Sequence, residues 1–191
     1  IPRIDFKTEI DWQERDRLLK VAFPVNVNAM NATYDISYGY IERPTHQNTS
    51  WDAAKFEVTG HMWADLSEGD YGVSILNDCK YGHDISGNTI RLTLLKGSQY
   101  PDPKADRGKH YFTYSLFPHT DDWRTARTPQ KAWELNDPIS FVMLENSGSV
   151  GKNSDSFVKI DKDHVLLSAL KAANDGNSII IRIYEDQNRR G

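Results

Sequence analysis

Apolar side chains in this chain recur mainly at every second position. Leu19, Val21, Phe23, Val25 and Val27 alternate with polar or small residues, the pattern of a strand with one buried face. Pro24 lacks an N–H, which predicts an edge strand or a bulge there. Tyr34, Ile36, Tyr38 and Tyr40 form a second alternating set, and Phe56 and Val58 lead toward Met62 and Trp63. Further sets are Tyr71, Val73 and Ile75, then Ile90, Leu92 and Leu94, then the long aromatic run Tyr111 to Phe117. Phe141 to Leu144, Phe157 to Ile160 and Ile179 to Tyr184 follow. Turn-forming residues punctuate these runs at 31–33, 67–70, 86–88 and 174–177. Many short strands with regular turns predict an all-β, antiparallel sandwich rather than alternating βα units.

One short helix is expected. Thr128 is placed to cap it, Pro129 suits the first helical position, Gln130 to Leu135 continue it, and Asn136-Asp137-Pro138 stops it. Val165 to Ala173 fits a helix by its leucines and a strand by its position. The whole of 1–191 is expected to form one domain, with a subdomain joint at 145–155, where Gly148 and Gly151 sit among serines and asparagines.

Composition narrows the function classes. With 23 basic and 27 acidic residues the formal charge is -4, so no basic excess favours nucleic acid. No apolar run approaches the roughly 18–20 residues of a membrane span. Cys79 is the only cysteine, which excludes an intramolecular disulfide and a cysteine-built zinc site and fits a reducing compartment. Both ends read as cut from a longer chain. Upstream strands missing from the sandwich would leave an edge through which the fragment pairs with itself as a homo-oligomer.

Two dense polar-aromatic blocks stand apart from the strands. One is Leu76-Asn77-Asp78-Cys79-Lys80-Tyr81-Gly82. The other is Ile41 to Asp52, with Glu42, Arg43, His46, Asn48, Trp51 and Asp52. Sugars offer hydroxyls to polar side chains and C–H faces to rings, so such blocks suit a sugar-handling surface. Each also has a plainer explanation. Asn77 and Asp78 can bond their own backbone in a turn. Arg43 can lock its loop to a carboxylate while Trp51 packs on the core. The six histidines show no HExxH spacing, and His119-Thr120-Asp121-Asp122 reads more readily as a turn than as a metal site. There is no nucleophile elbow, phosphate loop or dinucleotide fingerprint.

The wording of many segments resembles the C-terminal region of glycoside hydrolase family 38 α-mannosidases. The segments are Pro2 to Phe6, Asp11 to Arg15, Leu19 to Val25, Ile41 to Asp52, Lys55 to Val58, Trp63 to Glu68, Tyr71 to Val73, Leu76 to Gly82, Ala105-Asp106, Leu167 to Lys171 and Arg182 to Glu185. The flavour is that of the cytosolic and bacterial type. The resemblance implies a large β-sandwich like that of galactose mutarotase-like proteins, leaning over the cleft of a retaining enzyme that hydrolyses terminal α-mannosides of oligosaccharides. It implies a nucleophile and histidine- and aspartate-held zinc in an N-terminal catalytic domain outside this chain. This chain would complete and support the cleft, be inactive alone and reside in the cytoplasm. Asn77, Asp78 and Lys80 are the residues it brings nearest bound sugar, with Arg43 and His46 second. The alternatives are a free-standing carbohydrate-binding module, with Trp51, Trp63 and Trp123 as ring platforms, and a purely structural interdomain scaffold.

Overall fold

The structure, a computed structural model, describes residues 3–143 and 155–190. In chain order its strands are β1 (Ile4–Trp12), β2 (Leu19–Pro24), β3 (Asn31–Ile36), β4 (Gly39–Pro44), β5 (Val58–Thr59), β6 (Trp63–Ser67), β7 (Tyr71–Asn77), β8 (Gly82–Ser86), β9 (Thr89–Leu95), β10 (Gly108–Thr120), β11 (Val165–Ala172) and β12 (Ile179–Glu185). Helix α1 (Ser50–Ala53) follows β4, and α2 (Thr128–Asn136) follows β10. The strands build a six-stranded sheet in the order β1-β10-β7-β6-β3-β4, a four-stranded sheet β2-β9-β8-β5 and the hairpin β11-β12. Every ladder is antiparallel, so the all-β antiparallel sandwich expected from the sequence is what forms.

Alternation gives the six-stranded sheet two buried faces. One face, with Tyr34, Ala64, Leu66, Val73, Ile75, Phe112 and Tyr114, packs on Ile85, Ile90, Leu92 and Leu94 of the other sheet. Fully burying an aliphatic side chain of this kind contributes about 1.5–3 kcal/mol. The opposite face carries Trp63, Leu76 and Phe117 and is covered by Trp123 and Ala132. Trp63 and Trp123 meet with ring centroids 4.9 Å apart.

Helix α2 is tied to β7 at both ends. Thr128 Oγ1 lies 2.9 Å from Ser74 Oγ, and Asn136 Nδ2 donates to the Asn77 carbonyl at 3.0 Å. Eight residues of helix advance about 12 Å, and three residues of strand about 10 Å, so the two attachments are in step.

Several local expectations change. The alternating set Tyr34 to Tyr40 is two strands, not one: Ile36 pairs with Gly39 around a two-residue turn in which Tyr38 takes a φ of 60°. Alternation runs on unbroken through so short a turn and hides it. The turn expected at 31–33 lies inside β3, where Asn31 pairs with Pro44. Strand β2 ends at Pro24 and stands at a sheet edge, where its missing N–H costs nothing. Phe141 and Phe157 are exposed and outside any strand. Val165 to Ala172 is a strand. Neither β1 nor β8 is among the expected strands, although β1 alternates Ile4, Phe6, Ile10 and Trp12 with charged residues; β8 is short and buries only His83 and Ile85. Thr128 is not the cap of α2. Arg127 holds that position, and the Thr128 hydroxyl serves Ser74 instead. A second, one-turn helix, α1, is capped by Thr49. The joint expected at 145–155 lies outside the described residues except for Asp155.

Gly72 stands opposite both Ser67 and His119 in the ladders. A Cβ there would collide with the Ser67 hydroxyl and the His119 ring. Gly72→Ala is expected to destabilise the intact protein by about 1–3 kcal/mol through overpacking, read as a lower urea midpoint. An unchanged midpoint would show that the His119 ring is free to move aside.

Candidate functional site

The tip joining β7 to β8 holds three of the expected site residues. Asn77 is wholly buried. Its Nδ2 donates to the His61 carbonyl at 2.8 Å, and its Oδ1 accepts from the Lys80 N–H at 2.6 Å. The amide therefore shapes the loop, as the plainer turn explanation required. Asp78 Oδ2 accepts from the Thr113 N–H at 2.7 Å, while its Oδ1 is buried without a hydrogen-bond partner. The Lys80 ammonium lies 4.3 Å from the centre of the Phe112 ring, a cation–π contact that keeps it at the tip. Between them, Cys79 is exposed. Partial burial of its sulfur, helped by the Asp78 carboxylate, pushes the thiol up to about 11. It stays protonated near neutrality and is no nucleophile. Lys80 thus keeps unused donors at the tip, whereas one Asp78 oxygen is taken by the Thr113 N–H and the other is shielded from solvent.

Arg43 and His46 line a separate cleft with Asp52, Lys55, His83 and Asp84. Thr49 orders its wall: its Oγ1 accepts the Asp52 N–H at 3.1 Å and donates to Asp52 Oδ2 at 2.7 Å. His46 Nδ1 accepts the Asn48 N–H at 3.3 Å and lies 4.0 Å from Asp52. The Arg43 guanidinium sits 4.7 Å over the Tyr34 ring. Its expected carboxylate partner is missing among the described residues. Trp51 does not pack on the core either, being 81% exposed. Among the described residues no hydrogen bond or ion pair joins this cleft to the Asn77–Lys80 tip.

Two arrangements went unnoticed in the sequence. Asp65, Ser74 and His119 meet on the outer face of the six-stranded sheet. His119 Nε2 is 2.8 Å from Asp65 Oδ2 and 3.2 Å from Ser74 Oγ, and Ser74 donates to the same carboxylate at 2.7 Å. A Ser-His-Asp nucleophile set needs the carboxylate on one ring nitrogen and the serine on the other. Here both use Nε2, Ser74 is fully buried, and its proton goes to Asp65. The cluster is structural. Burial lowers the His119 pKa and the Asp65 carboxylate raises it, with a net upward result.

The second arrangement is a hollow of about 330 Å³ lined by Asp35, His61, Tyr38, Tyr81, Trp133 and Tyr184. Trp133 Nε1 donates to the Tyr184 hydroxyl at 3.1 Å. Burial pushes Asp35 up to about 7, against the Met62 N–H that donates to it at 2.8 Å, and the Asp186 charge adds to the rise. Burial likewise pushes Asp186 to about 6. The signal that would have found both arrangements is strand parity, and parity requires knowing which strands pair.

No group of three or more His, Cys, Asp or Glu among the described residues is placed to hold a metal ion. No helix among them is long and apolar enough to cross a membrane. Two of the three tryptophans considered as ring platforms, Trp63 and Trp123, are core residues at 1% and 2% exposure. They close the far face of the sheet and present no platform.

Residues 1–104 match the model of the glycosyl hydrolases family 38 C-terminal domain. The chain belongs to this family. It is 44% identical to alpha-mannosidase G of Dictyostelium discoideum over 96% of its own length and 17% of that protein's. It is 41% identical to human alpha-mannosidase 2C1, covering 96% of this chain and 18% of the relative, and 39% identical to an alpha-mannosidase of Saccharomyces cerevisiae, covering 97% and 18%. The family 38 chain therefore spans less than a fifth of these relatives. Its fold also matches the crystal structure of an alpha-mannosidase from Enterococcus faecalis V583, with a TM-score of 0.82 at 19% identity, over 97% of this chain and 22% of that one.

The raised Asp35 pKa sets a pH dependence. Between about 4 and about 7 the folded state holds a proton that the unfolded state has released, so this group's contribution falls as pH rises. Asp35→Asn removes the titration and keeps an acceptor for Met62. The stability of Asp35→Asn relative to the parent is expected to rise by a few kcal/mol from pH 4.5 to pH 8, on the order of the shift at 1.36 kcal/mol per unit. Urea midpoints at the two pH values measure it, and a constant difference would refute it. His83, held near 4 by burial, slopes the other way in both proteins and cancels in the comparison.

Proposed function

We propose that this chain is the C-terminal β-region of an α-mannosidase that removes terminal α-mannosides from oligosaccharides with retention of configuration. Residues 1–191 act as one unit that completes and supports the catalytic cleft. The observation that carries this reading is family 38 membership at less than a fifth of the relatives' length, together with an apolar surface that needs covering. Strand β12 exposes Ile179 at 73%, Ile181 at 53% and Ile183 at 56%, and Phe141 and Met143 are each 91% exposed. A two-stranded hairpin is marginal by itself in water, and apolar patches of this kind mark an interface. The N-terminal catalytic region of the same polypeptide is the partner that fits. Without it, the same surface favours self-association.

The division of labour follows from the chemistry. A retaining glycosidase needs two carboxyl groups, one as nucleophile and one as acid/base. Asp35 and Asp65 are 92% buried or more and hydrogen-bonded within the fold, so they are assigned structural roles. The family's zinc does not fit the described residues, and its ligands are assigned to the catalytic region. Lys80 faces the cleft and meets sugar hydroxyls, Asp78 does so once its shielded oxygen is uncovered by the approaching sugar, and Asn77 holds both in place. Arg43 and His46 form a second, more remote contact region. A cytoplasmic location agrees with the lone cysteine. The free-standing module reading is weakened by the burial of Trp63 and Trp123.

Turnover of an aryl α-mannoside is expected from the intact protein and not from residues 1–191 alone. Robust turnover by the shorter chain would end the proposal. Asp78→Asn in the intact protein keeps an oxygen for the Thr113 N–H. It is expected to lower kcat/KM about tenfold or more, the loss of a hydrogen bond to a charged group being about 1.5–3 kcal/mol, with an unchanged melting temperature. Normal kinetics in Asp78→Asn would leave the tip with a structural role only.

A further inference from the structure

The cleft at Arg43 contains buried donors that nothing in the fold satisfies. His83 on β8 is 0% exposed, and neither ring nitrogen has a hydrogen-bond partner. Arg43 Nη1 on β4 is also buried and unpartnered. Both residues line the same partly open hollow, whose volume accessible to water is about 30 Å³. Buried polar groups are nearly always hydrogen-bonded, and leaving one unsatisfied is costly.

The charges around the hollow are matched except for one. Asp84 lies 3.1 Å from Arg91 and 3.6 Å from Lys20. Asp52 lies 3.6 Å from Lys55, and Glu57 lies 3.1 Å from Lys20. Arg43 has no carboxylate within salt-bridge distance among the described residues. The guanidinium remains charged; Arg43 is half-buried, with Nη1 out of contact with solvent, and a donor on a charged group left unpaired there is more costly than one on a neutral group. His83 is neutral, because burial and the Arg43 charge hold its pKa near 4, so one of its nitrogens carries a donor proton. A guanidinium and a neutral imidazole thus line one small space.

We propose that this hollow is a binding site for a single monovalent anionic group, held between Arg43 and His83. Size and charge select the ligand. A water-sized occupant needs roughly 10–15 Å³ of such volume, so the space takes about two or three atoms of that size. A halide ion or the head of one carboxylate fits. The carboxylates of Asp52 and Asp84 on the walls disfavour a dianion. The anionic group has two sources: a free ion from solution, or an acidic side chain from the rest of the intact protein. In either case it bridges the two layers of the sandwich, since Arg43 belongs to the six-stranded sheet and His83 to the four-stranded one.

The test uses the intact protein. Crystals soaked in sodium bromide are examined by anomalous scattering, and unfolding is followed in sodium bromide against sodium gluconate at equal ionic strength, in the parent and in Arg43→Gln. A bromide peak between Arg43 and His83, with halide-dependent stability that Arg43→Gln abolishes, identifies a free ion. At tenfold over its Kd such an ion lowers the unfolding constant about 11-fold. A carboxylate seated on Arg43 and His83, with no halide dependence, identifies the internal source. Water alone in the hollow, with no halide effect in the parent, overturns the proposal. Should Arg43→Gln fail to fold, the two measurements on the parent still decide.

Discussion

The structure depends on burying a polar cluster on the outer face of the six-stranded sheet. Asp65, Ser74 and His119 sit where a two-layer sandwich would meet water. Instead Trp123 and helix α2 close over them. A carboxylate so placed must be fully hydrogen-bonded. Ser67, Ser74 and His119 all bond to Asp65, and Thr128 of α2 bonds to Ser74 in turn. The cluster makes the helix part of the sheet's hydrogen bonding and sets its position along β7.

That position reaches the tip. Asn136, at the end of α2, holds the carbonyl of Asn77, and the Asn77 side chain holds the Lys80 backbone. The loop carrying Asp78 and Lys80 is thereby fixed by groups that start at the buried carboxylate. Trp133, on the same helix, reaches Tyr184 and anchors the β11-β12 hairpin. One covered face thus orients both the tip assigned to the cleft and the apolar hairpin assigned to the catalytic region.

Arg43 and His83 show a different economy. Their surroundings leave donors open, whereas the Asp65 cluster leaves almost none. Buried polar atoms of Trp12, Asp78, Gln130, His164 and Asp186 also lack partners, but Arg43 and His83 differ in lining one hollow together.

Period-two alternation at Leu19 to Phe23, Tyr71 to Ile75 and Ile90 to Leu94 determined the antiparallel β class, because each strand needs one apolar face whatever its partners. Pro24 likewise restricted its strand to an edge or a bulge, since a proline cannot donate to a ladder from the middle of a sheet. The family resemblance rested on residue wording at many separate segments, which is also local information. Tertiary structure alone decided that Asn77 is consumed in shaping its own loop, that Trp63 and Trp123 are core, and that Arg43 lacks a carboxylate. It alone brought Asp65, Ser74 and His119 to one point from three strands. These outcomes depend on which strands pair and in what register, and a sequence read along its length carries the parity of each strand but not the identity of its neighbours.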